Sequence, residues 1–135
     1  MDKARVQWVG KERFIAQSPS GHMVALDSDR ATNGAPGPME LLLIALGACT
    51  ATDMVSILAE KRQKLDSLEV EVSGVRSEEP PRVWARLEIL YKLRGMLEET
   101  AVQHAIRLSE EKYCSVAAML GKTAVISSRF EIENL

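Results

Sequence analysis

At 135 residues the chain has the length of one compact domain, 1–135, and its 46% hydrophobic content suffices for a core. Its 17 basic and 19 acidic residues leave a net charge of −2, which argues against nucleic acid or an anionic membrane as main partner, since both call for a basic face. The N-terminus, MDKARVQWVGKERF, has no apolar run followed by a small-residue cleavage site, so a cytoplasmic location with reduced thiols is expected.

The first 27 residues read as a meander of short strands. Val6 and Trp8 alternate with Arg5 and Gln7, and Phe14 and Ala16 with Arg13 and Gln17. A turn at Ser18-Pro19-Ser20-Gly21 follows, after which Val24 and Leu26 share a face. The loop from Asp27 to Pro38 is rich in Asp, Asn, Gly and Pro and carries one basic residue, Arg30. A helix is then expected from about Pro38 to about Lys61, with Pro38 in its first turn and the pair Lys61-Arg62 complementing its dipole.

Between Leu41 and Ala59 this helix carries a single charge, Asp53. The length approaches a membrane span of about 20 residues, but a charge inside a lone span is costly, and Gly47, Ala48, Thr50, Ala51, Thr52 and Ser56 dilute the hydrophobicity. The buried centre of a soluble fold is the expected setting. One sheet covers only one side of such a helix. A second copy of the helix, brought in by a symmetric partner, is the simplest cover for the other side, so a homodimer is expected.

Two alternating segments follow, Leu68/Val70/Val72 and Val83/Ala85/Leu87/Ile89, joined through Ser77-Glu78-Glu79-Pro80-Pro81. A second helix is expected over roughly Met96–Glu111, with Leu97, Ala101, Ala105 and Leu108 on one stripe. A short helix near Ser115–Leu120 stops at Gly121, and a last strand, Ala124–Ile132, puts Ile126, Phe130 and Ile132 on one face. The order βββ–α–ββ–α–α–β defines an α+β domain.

Cys49 lies mid-helix among small side chains, where a free thiol can be a simple packing residue. Cys114 precedes Ser115 at a helix N-terminus, where the dipole favours thiolate. Arg30, in the loop feeding the cysteine helix, is of the type a thiol peroxidase needs: a fixed cation for the thiolate and for the oxyanion that leaves when the O–O bond breaks. Glu40 opens the helix. It is about 13–14 Å along the axis from Cys49 and about 180° around it, so it can serve that thiol only from another subunit or through Arg30. Asp53 sits one turn beyond Cys49 on the same face, a place from which it can bond Thr50 or pair with an arginine. His22, beside a turn, and His104, at the edge of a helical stripe, show no metal-binding spacing with the cysteines, so no metal or cofactor is expected.

Gly37-Pro38-Met39-Glu40-Leu41-Leu42, then Ala45-Leu46-Gly47-Ala48-Cys49-Thr50-Ala51-Thr52-Asp53, with Tyr113-Cys114-Ser115-Val116 later in the chain, resembles the OsmC/Ohr family of osmotically induced and organic hydroperoxide resistance proteins. The resemblance covers the whole chain and is nearest to an OsmC-like branch. It implies an intertwined homodimer with antiparallel sheets around the long helix and two sites at the interface. It also implies a peroxidase in which Cys49 attacks the hydroperoxide, Cys114 resolves it as a disulfide, Arg30 assists and an external dithiol restores both thiols. The family's assisting glutamate directly follows the proline; here Met39 holds that place and the acid is Glu40. A different class also fits the residues: a dimeric binding or structural protein whose cysteines only pack.

Overall fold

The computed structural model describes residues 1–135 and divides into two compact units, Met1–Leu42 and Leu43–Leu135. The first unit holds the meander: β1 (Arg5–Trp8), β2 (Arg13–Gln17) and β3 (Met23–Asp27), antiparallel in that order, with Val6 opposite Ala16 and Phe14 opposite Leu26. Alternation specified these strands, yet Val6, Trp8, Met23 and Val24 stay exposed.

The loop after β3 is organised around the buried carboxylate of Asp27. It accepts bonds from the Asp29 and Gly34 N–H groups, each at 2.9 Å, and from the Thr32 hydroxyl at 3.0 Å. Those backbone donors, Gly34 first, hold the Asp27 carboxyl below its ordinary pKa. The loop leads into α1 (Pro38–Glu60). Its start is half of a capping box, in which the Glu40 carboxylate accepts the Gly37 N–H at 3.0 Å.

The far end of α1 departs from expectation, because Lys61 and Arg62 lie beyond the last turn. Arg62 takes φ 57°, with its N–H on the Ala59 carbonyl and the Gln63 N–H on that of Leu58. This is a Schellman motif with arginine in the place glycine usually fills.

In the second unit β4 (Lys64–Arg76) and β5 (Trp84–Met96) form a long antiparallel pair, α2 (Glu99–Leu108) and α3 (Ser115–Leu120) follow, and β6 (Val125–Asn134) closes the sheet in the order β4-β5-β6. The expected α+β class is present, and Ile126, Phe130 and Ile132 are the half-buried residues of β6 as expected. Three details differ. The strands are longer than expected, since β5 runs on through Lys92 and Arg94 on its outer face and Tyr91, Leu93 and Gly95 on its buried face. Met96 therefore ends a strand, and α2 begins at Glu99 and buries Val102, Ala105 and Ile106. Finally, β6 pairs parallel to β5, from Arg86 opposite Val125 to Gly95 opposite Asn134, whereas antiparallel sheets were expected. Alternation reports which face a residue takes and not the strand's direction. The helical crossover between β5 and β6 is what permits the parallel pairing.

Buried Leu46, Met54 and Leu58 of α1 join Leu87, Ile89, Tyr91 and Leu93 of β5 and Val102 and Ala105 of α2 in one core. α1 is long and apolar enough to cross a membrane, with mean hydropathy 2.0 over its best 18-residue window. Part of its apolar surface is left uncovered: Ile44 is 59% exposed and Val55 54%.

Candidate active site around two thiols

Gly47 lets α1 approach the sheet closely, since a Cβ there would stand 3.3 Å from Val72 Cγ2. The following turn of the helix carries Cys49, Thr50 and Asp53. Thr50 is fully buried and donates its hydroxyl to the Leu46 carbonyl at 3.0 Å. Cys49 is half-buried and Cys114 is buried, both as free thiols.

The segment that delivers Cys114 is where sequence reasoning stopped short. After Leu108 the chain does not continue as α-helix to Glu111; it widens into a π turn, Ser109–Tyr113. The turn aims two side chains inward. Ser109, fully buried, donates to the Asp53 carboxylate at 2.9 Å, and Glu110 accepts the Tyr91 hydroxyl at 2.6 Å. The sequence left Asp53 to Thr50 or an arginine; its partner is instead Ser109. Tyr91, at the centre of the core, has Thr50 at its hydroxyl and is held well above the ordinary tyrosine pKa, first by burial and then by Glu110. Single-turn π bulges recur at functional sites because they re-aim side chains within a helix. No sequence signal marked this one.

Cys114 ends the π turn in an extended conformation and caps α3, its Sγ accepting the Ala117 N–H at 3.3 Å. Its place at a helix N-terminus is as expected. The expected tilt toward thiolate is not, because burial dominates and the hydrogen bond with Cys49 adds to it, raising the Cys114 thiol to about 11. The nearness of Cys49 is the central geometric result. The Sγ atoms of Cys49 and Cys114 and a carboxylate oxygen of Asp53 all lie within 4.8 Å of one another.

In the first unit Arg30 and Glu40 form the ion pair that sequence geometry allowed. Arg30 also donates to the carbonyls of Asp27 and Ala35 and to the Asn33 side chain, so its guanidinium is held at several points. The glutamate one place later than the family pattern thus still reaches Arg30. His22 lies exposed in its turn, and His104, at the edge of the helical stripe, is exposed on α2.

A family model described as OsmC-like protein matches residues 31–129. Protein YhfA of Escherichia coli strain K12 is 41% identical over 131 residues, covering 96% of this chain and 97% of that protein. The crystal structure of a hypothetical protein from Aquifex aeolicus VF5 superposes with TM-score 0.84 at 30% identity over 98% of each chain. That of the organic hydroperoxide resistance protein OhrB of Bacillus subtilis gives TM-score 0.70 at 13% identity over 96% of this chain and 98% of that one, a likeness of fold.

Proposed function

The chain belongs to the OsmC-like family, and on that premise we propose that it is a thiol-dependent peroxidase working through the pair Cys49 and Cys114. The observation that carries this reading is the nearness of the two thiols, whose Sγ atoms lie within 4.8 Å, one half-buried and the other buried. Cys49, as thiolate, attacks an oxygen of an organic hydroperoxide. The O–O bond breaks, the alcohol leaves with a proton, and Cys49 becomes a sulfenic acid. The Cys114 thiol then attacks that sulfur, a disulfide forms and water is released. An external dithiol returns two hydrogens and restores both thiols.

Cys114 suits the second step. A thiol held up to about 11 stays protonated and does not compete with Cys49 for peroxide, yet it stands at the right place to condense with the sulfenic acid. Arg30 supplies the fixed cation for thiolate and leaving oxygen, and Glu40 orients it. The active unit is a homodimer, which gives the uncovered side of α1 a partner and brings the two sites to completion. The name of the Bacillus protein, organic hydroperoxide resistance, is consistent with an alkyl hydroperoxide as substrate.

The test is consumption of an organic hydroperoxide by the purified protein with a dithiol, compared with Cys49→Ser. Turnover in the wild type and none in the variant is expected. Equal rates would remove the peroxidase and leave a dimeric binding or structural protein with packed cysteines.

A further inference from the structure

We infer that the reduced site is also a binding site for a thiophilic divalent cation, Zn2+, held by Cys49 Sγ, Cys114 Sγ and the Asp53 carboxylate. The three ligand atoms already lie within 4.8 Å of one another, and they come from separate places in the second unit, two from one turn of α1 and one from the cap of α3. Around tetrahedral zinc, with Zn–S near 2.3 Å and Zn–O near 2.0–2.2 Å, such atoms stand about 3.5–3.8 Å apart. The ligand atoms therefore need to draw together by at most about 1 Å.

The donor set selects the metal. Two thiolates favour zinc over magnesium or calcium, which take oxygen donors. Asp53 has the second-shell bond that ligating carboxylates carry, since the Ser109 hydroxyl donates to it at 2.9 Å and fixes its plane. Three protein ligands leave a fourth position for water, the arrangement of open zinc sites rather than of closed structural ones. Cys49 and Asp53 are only half-buried, which gives the ion a way in. On binding, each cysteine releases its proton to solvent and forms an S–Zn bond. The metal-loaded pair is thereby barred from forming a disulfide, so zinc and peroxide compete for the same two sulfurs. Zinc binding itself does not depend on peroxidase activity.

The experiment titrates the reduced, full-length protein with Zn2+ against a chromophoric chelator and repeats the titration with Co2+ as a spectroscopic probe. One ion per chain is expected, with Co2+ showing thiolate charge-transfer and tetrahedral absorption bands. Cys49→Ser, Cys114→Ser and Asp53→Asn should each weaken Zn2+ binding at least tenfold. Wild-type protein with both thiols alkylated should lose the site, which gives a control that needs no folded variant. Co2+ bound without charge-transfer bands, or Zn2+ affinity unchanged by alkylation or by Asp53→Asn, would overturn the assignment. Peroxide turnover of the metal-free protein, measured in the same preparation, separates failure of the zinc site from failure of the peroxidase reading.

Discussion

Cys49 and Cys114 lie close together, but burial treats them differently, and that difference can be measured. A small alkylating reagent near neutral pH should label Cys49 first and Cys114 slowly, as read by peptide mass mapping, because Cys114 is 3% exposed and its thiol is held up to about 11. Comparable labelling rates would contradict the assignment of roles. The raised Cys114 pKa also fixes the sign of a pH effect. Folded Cys114 holds its proton to higher pH than the unfolded thiol, so its contribution to stability is complete below about 9 and is lost as pH rises toward about 11. Tyr91 acts in the same direction. The unfolding midpoint should therefore fall across this range, and less steeply in Cys114→Ala.

Arg30 and Glu40 make a different kind of prediction. Their side chains are 46% and 53% exposed, and ion pairs so exposed contribute about 0–1 kcal/mol to stability. Arg30→Gln should thus leave the melting temperature nearly unchanged while lowering peroxide turnover at least tenfold; a large loss of stability with turnover intact would assign Arg30 to the loop alone. The nearness of the two thiols was implied by the family resemblance, and the i,i+4 spacing put Asp53 on the face of Cys49, although with Thr50 or an arginine expected as its partner. Tyr91, Ser109 and Glu110 were not legible in the sequence, because they reach the site through long-range packing and a π turn whose residues, Ser-Glu-Glu-Lys-Tyr, read as ordinary helix. The direction of the Cys114 shift was misread for a related reason: a helix N-terminus is visible in a sequence, but the burial that overrides it is not.

Among the elements, two local backbone conformations carry specific expectations. Gly95 has φ +153° and lies across from the register shift between Leu65 and Ser67 of β4, where an added Cβ would stand 2.1 Å from the Lys64 carbonyl oxygen. Gly95→Ala should destabilise the protein by at least about 2 kcal/mol in chemical denaturation, in the range of backbone strain combined with a steric clash. Arg62, left-handed at the end of α1, is the opposite case. Arg62→Gly relieves a Cβ clash and is expected to stabilise by up to about 1 kcal/mol, partly offset by the greater freedom of unfolded glycine. The elements themselves were largely readable: the three N-terminal strands, the long helix and α3 fall where periodicity and capping residues put them. The ends of β5 and α2 did not, because Leu90 puts an apolar residue on the outer face of β5 and Glu98-Glu99 mark a helix start without fixing what precedes it. The direction of β6 has no local sequence signature at all.

At the scale of the whole molecule, Ile44 and Val55 of α1 are exposed apolar side chains, and the proposed homodimer would give that side of the helix a partner. A homodimer is expected by light scattering at micromolar concentration, and Val55→Glu or Ile44→Glu should shift it toward monomer and reduce turnover with it. Dimer formation undisturbed by both changes would place the interface elsewhere. The proposed activity rests on the redox pairing of the two thiols. Reduced protein treated with one equivalent of an organic hydroperoxide and analysed by mass spectrometry addresses it most directly. A loss of two hydrogens, mapped to a Cys49–Cys114 disulfide that a dithiol reverses, is predicted. Intact thiols with the peroxide unspent, or sulfinic acid on Cys49 beside a free Cys114, would contradict it.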